Sequence, residues 1–112
     1  MQNQAQIRQI IACLEDVLHR PGMYLGSSTD VAHVVAFLNG FDAACTALGL
    51  STGRMDRVYQ SVVREKDWFE SSTRGIWDIM RDRGLNEHEI TRELIIIEIE
   101  SWQRRSTLPA SS

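Results

Sequence analysis

The stretch from Asn86 to Trp102, NEHEITRELIIIEIESW, decides between a helical and a mixed fold for this chain. Between residues 95 and 100 apolar and acidic residues partly alternate, a pattern that also fits a β-strand. Asn86 followed by Glu89 resembles a capping box, however, and no glycine or proline interrupts the stretch. We therefore expect a last helix with a broad apolar face.

Two stretches upstream have helical spacing of their apolar residues. From Gln4 to His19 these residues recur every three or four positions, and Pro21 stops the pattern because proline cannot continue a helix. From Val31 to Leu48 they recur again until Gly49, a residue type common just after a helix. The candidate N-caps of this second helix are Ser28, Thr29 and Asp30.

Three segments have weaker patterns. Pro21 to Gly26 is rich in turn residues and predicts a connector. Met55 to Val62 fits a third helix, although its β-branched residues also fit a strand. Ile76 to Met80 predicts a short helix that ends at Gly84. The candidate N-caps of that short helix are Ser71 and Ser72.

The chain of 112 residues is long enough for one domain. Helices joined by short connections predict an all-α fold, a compact bundle of four to five helices over residues 1–103. Residues 104–112 are polar, contain Pro109 and are expected to form a disordered tail.

Charge and composition exclude several classes of function. The net charge of −3 and the pI of about 5.5 argue against nucleic acid as a partner, because proteins that bind phosphate backbones are usually basic. Apolar runs such as Leu94 to Ile97 are far shorter than the roughly 20 residues of a membrane span. No secretory signal follows Met1, and Cys13 and Cys45 are too few for a disulfide scaffold. We therefore expect a cytoplasmic protein without membrane contact.

No motif in the chain predicts catalysis, a cofactor or a metal, so we expect a protein that is not an enzyme. His88 and Glu89 lack the second histidine of a zinc-protease helix, and there is neither a Cys-x-x-Cys pair nor a glycine-rich phosphate loop. A catalytic pair of Cys13 or Cys45 with a histidine stays open. The histidines are His19, His33 and His88.

Several carboxylates lie close to large apolar residues in the sequence and would suit acid–base chemistry if they were desolvated. On an amphipathic helix, such residues usually form the solvated face, and we expect that here. They are Asp78, Asp82, Glu93, Glu98 and Glu100.

Large apolar residues in connecting segments give the candidate partner-binding surface. Aromatic residues dominate binding hot spots because they bury a large rigid area at low entropy cost. The alternative is that the apolar residues tuck under the bundle and fix the helix packing. The candidate residues are Met23, Tyr24, Asp67, Trp68 and Glu70.

Arg20 to Ser27, RPGMYLGS, resembles a stretch near the N-terminus of the ATPase subunit of DNA gyrase and its type II topoisomerase relatives. In that family, the next helix carries a catalytic glutamate and a metal-binding asparagine. Here Phe37 falls near the glutamate position, and Asn39 and Asp42 fall close to the family's Asn and Asp register without matching it. The family's later glycine-rich lid motifs are missing, so the resemblance implies a shared local helix–loop–helix rather than ATPase activity.

The whole chain resembles a group of small bacterial proteins, some of which look like immunity proteins of polymorphic toxin systems. The resemblance covers about 80 residues through short motifs and implies a protein that occludes a cognate toxin, with no catalytic residues. The matching pieces are Arg20 to Gly26, Phe37 to Phe41, Trp68-Phe69, Gly75 to Trp77 and Leu94 to Trp102.

Two other functions compete with a toxin-binding protein. One is a degenerate nucleotide-binding protein of the gyrase type. The other is a helical nucleic-acid binder, which would need many of the arginines to cluster on one face. The apolar excess from Ile95 to Ile99 also makes a second copy of this chain a candidate partner.

Overall fold

The computed structural model describes residues 4–25, 30–50, 57–68 and 75–107, and these residues form an all-α bundle. The predicted fold class is confirmed. Five of the helices have seven or more residues, and a sixth, short helix was not expected. The helices are α1 (Gln4–His19), α2 (Pro21–Leu25), α3 (Val31–Ala47), α4 (Arg57–Glu65), α5 (Ile76–Asp82) and α6 (Glu87–Thr107).

Helix α6 is the central element, since α1, α3, α4 and α5 all pack against it. Its buried residues therefore lie on more than one face, which explains why its sequence looks too apolar for an ordinary amphipathic helix. The stretch from 95 to 100 is helical, so the strand alternative is wrong. Ile95, Ile97 and Ile99 are buried within the single chain. Packing within one chain therefore accounts for the apolar residues that suggested a second copy as a partner.

Reciprocal hydrogen bonds at the start of α6 confirm the predicted capping box. The Asn86 N–H donates to Glu89 Oε1 at 2.9 Å, and the Glu89 N–H donates to Asn86 Oδ1 at 2.8 Å. At the start of α3, Asp30 is the N-cap, and its Oδ1 accepts from the Ala32 N–H at 2.9 Å. Both caps satisfy backbone donors that a helix leaves unpaired in its first turn.

Helices α3, α4 and α5 end in the same capping motif. In each, a residue with positive φ follows the helix, and its N–H and the next N–H donate back to carbonyls three and five residues earlier, which is the Schellman pattern. The positive-φ residues are Gly49, Asp67 and Gly84. The residues after them are all apolar and pack against the core: Leu50, Trp68 and Leu85.

The structure corrects three local predictions and confirms another. Pro21–Leu25 is a helix rather than a connector, because proline suits the first helical position. The helix predicted for Met55 to Val62 is confirmed in its described part, which is helical from residue 57. Gly75 is the N-cap of α5, while Ser71 and Ser72 lie outside the described residues.

The third correction concerns the predicted tail. Helix α6 continues to Thr107, so the part of the tail from Arg104 to Thr107 is helical. An ion pair holds this last turn against α4, since Arg104 Nη2 lies 2.5 Å from Glu65 Oε1. Residues 108–112 lie outside the described residues.

None of the helices in the described ranges is both long enough and apolar enough to cross a bilayer.

Candidate functional site

Met23 and Tyr24 lie on the surface of the short helix α2, and we call this pair the α2 surface. Met23 is 70% exposed and Tyr24 is 41% exposed. The Tyr24 hydroxyl donates a hydrogen bond to Asp16 Oδ2 on α1, and this bond raises the pKa of Tyr24. Asp16 Oδ1 also lies 3.6 Å from Arg20 Nε. The ring of Tyr24 is thus tied to α1 while it stays accessible to a partner.

Trp68 packs against the core. Its side chain is half-buried against the core, and its indole N–H donates to Glu93 Oε1 at 3.4 Å. The Arg83 guanidinium lies over the ring, 5.1 Å from its centroid. Trp68 also follows the positive-φ residue of the α4 cap, where an apolar residue normally packs back on the helix end. These contacts fix the end of α4 against α6.

Asp67 is accessible, with a side chain that is 94% exposed. Its φ of 63° is the left-handed conformation that closes α4. The Arg83 Nη1–H donates to its backbone carbonyl oxygen, and the same nitrogen lies 3.8 Å from Asp67 Oδ2. Glu70, the remaining candidate, lies outside the described residues.

The candidate residues belong to two places with different neighbours. Helix α2 packs against α1 and α3. The Asp67–Trp68 turn instead contacts Arg83 and Glu93. The described candidates therefore lie at two positions. Met23 and Tyr24 form the α2 surface. Asp67 and Trp68 lie in the turn that caps α4, where Trp68 packs against the core.

A cleft between α3 and α5, of about 410 Å³, was missed by the sequence analysis. We call it the α3–α5 cleft. Its α3 side carries small or apolar residues, and its α5 side is formed by Trp77 and Arg81. The residues on the α3 side are Asp30, Val31, Ala32, Val35, Ala36 and Asn39.

One signal in the sequence could have revealed this cleft. Between residues 31 and 47, Asp42 is the one charged residue apart from the titratable His33, and no lysine or arginine occurs. A half-exposed helix usually carries several charges on its solvent face. The exposed face of α3 instead carries small residues such as Ala32, Ala36 and Ala43.

Arg81, which lines the cleft, is paired with two carboxylates of the same chain. Arg81 Nη2 lies 3.0 Å from Glu87 Oε2, and Arg81 Nη1 lies 3.2 Å from Asp78 Oδ1. Glu87 also accepts a hydrogen bond from the Val31 N–H through its Oε1, at 3.2 Å. Among the described residues, the lining of the cleft has one carboxylate, Asp30, and one cation, Arg81.

The carboxylates of α6 do not form the solvated face that the sequence predicts. Glu98 is 2% exposed, because α6 is surrounded by other helices. Glu93 and Glu100 share Lys66, whose Nζ lies 3.6 Å and 2.8 Å from their respective oxygens. The hydrogen bond to Glu100 raises the pKa of Lys66 and so favours its charged form.

The cysteines are less exposed than the histidines. Cys45 is buried, and burial raises the pKa of its thiol, which disfavours the reactive thiolate. The three histidine side chains are exposed. Within the described ranges, no three His, Cys, Asp or Glu side chains lie together in a way that could hold a metal ion.

Comparisons with known proteins do not assign the chain to a family, since no family model, curated protein or solved structure matches it.

Proposed function

We propose that the chain is a non-enzymatic protein-binding module of the cytoplasm, and specifically an immunity protein that neutralises a cognate bacterial toxin by occlusion. The α2 surface carries this proposal. Large apolar side chains that stay exposed on a small folded protein are typical of interaction sites. Tyr24 is also held in place by Asp16, so less side-chain entropy is lost when a partner binds.

The charge of the chain supports a basic partner. The net charge is −3, and Asp16 of α1, which pairs with Arg20, also accepts the hydrogen bond of Tyr24. A chain of net negative charge with an aromatic anchor suits occlusion of a positively charged toxin cleft, because complementary charges speed association and favour one orientation. The resemblance of Arg20 to Gly26 and the later motifs to immunity-type proteins points in the same direction.

The paired arginines favour a protein partner over nucleic acid or nucleotide. Phosphate binding needs cations whose charge is available to the phosphate. Several arginines of this chain instead lie within 4.0 Å of carboxylates of the same chain. These are Arg20 with Asp16, Arg81 with Asp78 and Glu87, Arg83 with Asp67, and Arg104 with Glu65.

Co-expression with the open reading frame beside this gene tests the proposal. We expect that frame to encode a toxin that stops growth when expressed alone, and we expect this chain to restore growth. The double variant Met23→Ala/Tyr24→Ala should lose protection while its melting temperature changes little, because both side chains are exposed.

Trp68→Ala is the matched control for the α2 surface. It should lower the melting temperature, because Trp68 packs against the core, and protection should persist at temperatures where the variant is folded. A non-toxic neighbouring frame, or full protection by the double variant, would contradict the proposal.

A further inference from the structure

The structure places the two methionines of the described residues in opposite environments. Met23 is 70% exposed on α2, whereas Met80 is 0% exposed in the core. Met1 and Met55 lie outside the described residues. Oxidation of a thioether requires contact between the oxidant and the sulfur. A peroxide in solution therefore reaches the sulfur of Met23 while the sulfur of Met80 is protected by the fold.

Arg20 lies beside the Met23 sulfur and is oriented towards it. The Met23 N–H donates to the Arg20 carbonyl oxygen at 3.1 Å, which fixes the backbone between the two residues. The Arg20 Nη1–H donates to Met23 Sδ at 3.9 Å, and Arg20 Nε lies 3.6 Å from Asp16 Oδ1. A thioether sulfur is only a weak acceptor. A stronger acceptor on this sulfur would therefore strengthen a contact with Arg20 that already exists.

Oxidation by hydrogen peroxide supplies that stronger acceptor. One peroxide oxygen is transferred to Met23 Sδ, so that an S–O bond forms, the O–O bond breaks and the other oxygen leaves as water. The sulfur is oxidised and the peroxide is reduced. The sulfoxide oxygen is then bound to the atom that Arg20 contacts. A methionine sulfoxide reductase reverses the step, with thiols as the reductant and water as the leaving molecule.

The same step changes the chemistry of the α2 surface. Met23 is the more exposed of its two residues, and the sulfoxide is polar where the thioether is apolar. Burying this polar group against an apolar partner surface costs free energy, because its hydrogen bonds to water are lost. Tyr24 is connected to the same group of side chains, since Tyr24 and Arg20 both contact Asp16.

We propose that Met23 is a redox-sensitive residue that regulates the α2 surface. A peroxide converts Met23 to the sulfoxide, Arg20 donates a hydrogen bond to the new oxygen, and the oxidised surface no longer holds its partner. This inference rests on the proposed function in its last step, the loss of partner binding. The oxidation of Met23 and the contact with Arg20 concern the isolated chain.

Peptide mass spectrometry of the folded chain in dilute hydrogen peroxide tests the first step. We expect Met23 to be oxidised at least about tenfold faster than Met80, because the sulfur of Met80 is reached only when the fold opens. In urea the two rates should become similar. Equal rates in the folded chain would overturn the inference.

Two-dimensional NMR spectra of the isotope-labelled chain test the contact with Arg20. We expect the Arg20 Nε–H resonance to move when Met23 is oxidised and to return after treatment with the reductase. The Nε–H of Arg8, an exposed residue of α1, is the control and should stay in place. The variant Met23→Leu should show neither change in peroxide. An Arg20 resonance that ignores the oxidation of Met23 would overturn the assigned contact.

Binding to the purified product of the neighbouring open reading frame tests the last step. Only the chain described here is treated with peroxide, and the peroxide is removed before mixing. We expect treatment to weaken binding at least about tenfold, as expected for loss of an interface anchor, and the reductase to restore it. Met23→Leu should bind equally well before and after treatment, because leucine is apolar, similar in volume and not oxidised. Met80→Leu is the matched control and should stay sensitive to peroxide.

The two proposals fail separately in this experiment. If the untreated chain does not bind the product of the neighbouring frame, the proposed function fails and the last step of this inference fails with it. If the untreated chain binds and oxidation of Met23 leaves binding unchanged, the proposed function stands and the redox inference is overturned. A loss of binding that Met23→Leu shares after treatment would also overturn it, since another residue would then be responsible.

Discussion

The absence of a Cβ at Gly75 allows the Trp77 ring to pack closely against the backbone at the start of α5. Gly75 is its N-cap, with φ of −67°, so the backbone there is open to any residue. The constraint is steric, because a Cβ would lie 2.6 Å from Trp77 Cζ2 and 2.7 Å from Trp77 Cε2. An indole ring is rigid, and it can relieve such a contact only by moving as a whole. Gly75 therefore fixes both the helix start and the place of the Trp77 ring in the α3–α5 cleft.

Gly75→Ala tests this close approach at the residue scale. We expect the free energy of unfolding to fall by about 1–3 kcal/mol, the range for overpacking a tight site, and the Trp77 indole N–H resonance to move. Gly22→Ala is the control, since a Cβ at Gly22 meets nothing within 4 Å. It should leave stability unchanged or raise it by up to about 1 kcal/mol. Equal effects of the two substitutions in urea unfolding would contradict the prediction.

At the scale of the element, three helices use one capping geometry with different residues. Gly49 and Gly84 adopt φ of 75° and 96°, as the motif requires, while Asp67 adopts φ of 63° at the end of α4. Aspartate tolerates this conformation better than most residues with a Cβ, but glycine has no steric cost there. The apolar residue after each of them packs on the core, which is why Trp68 is a structural residue.

Asp67→Gly should therefore stabilise the end of α4. We expect a gain of about 0.5 kcal/mol, because relief of the left-handed strain exceeds the larger unfolded-state entropy of glycine and the weak exposed contact of Asp67 with Arg83. The reverse change at the matching position, Gly84→Asp, should destabilise the chain by a similar amount. Chemical denaturation of both variants measures this, and a loss of stability in Asp67→Gly would show that the carboxylate matters more than the backbone.

At the scale of the whole molecule, α6 holds the bundle together and an ion pair secures its last turn to α4. Arg104 lies 2.5 Å and 2.8 Å from the two Glu65 oxygens, and these hydrogen bonds lower the pKa of Glu65. Since the pKa is lower in the folded state, the pair adds stability above the unfolded value of about 4.3. That stability is lost as the pH falls through the lower folded value.

Glu65→Gln should consequently melt at a lower temperature than the natural chain at pH 7. The difference should shrink below about pH 4 and vanish once Glu65 is protonated in both states. Glu15→Gln, an exposed position on α1, is the control and should show a smaller difference at pH 7. Melting curves between pH 2.5 and 8 measure both variants, and a Glu65→Gln difference that does not depend on pH would rule out this linkage.

Local signals in the sequence determined most of the helices. The spacing of apolar residues predicted α1 and α3, and Asn86 with Glu89 predicted the start of α6, because helix periodicity and capping depend on residues within four positions of each other. Because these signals are local, the sequence alone left both helix and strand possible for residues 95–100. Short apolar runs look alike in both, and burial of α6 on several faces is set by the other helices.

Only the tertiary structure decided which apolar residues are available to a partner. Met23, Tyr24 and Trp68 all stand in connecting segments of the sequence, yet Trp68 packs beneath the cap of α4 while Met23 and Tyr24 stay exposed. The α3–α5 cleft likewise joins Asp30 and Asn39 to Trp77 and Arg81, residues that are far apart along the chain. Exposure and concave surfaces arise from how whole helices pack, and no local pattern contains that information.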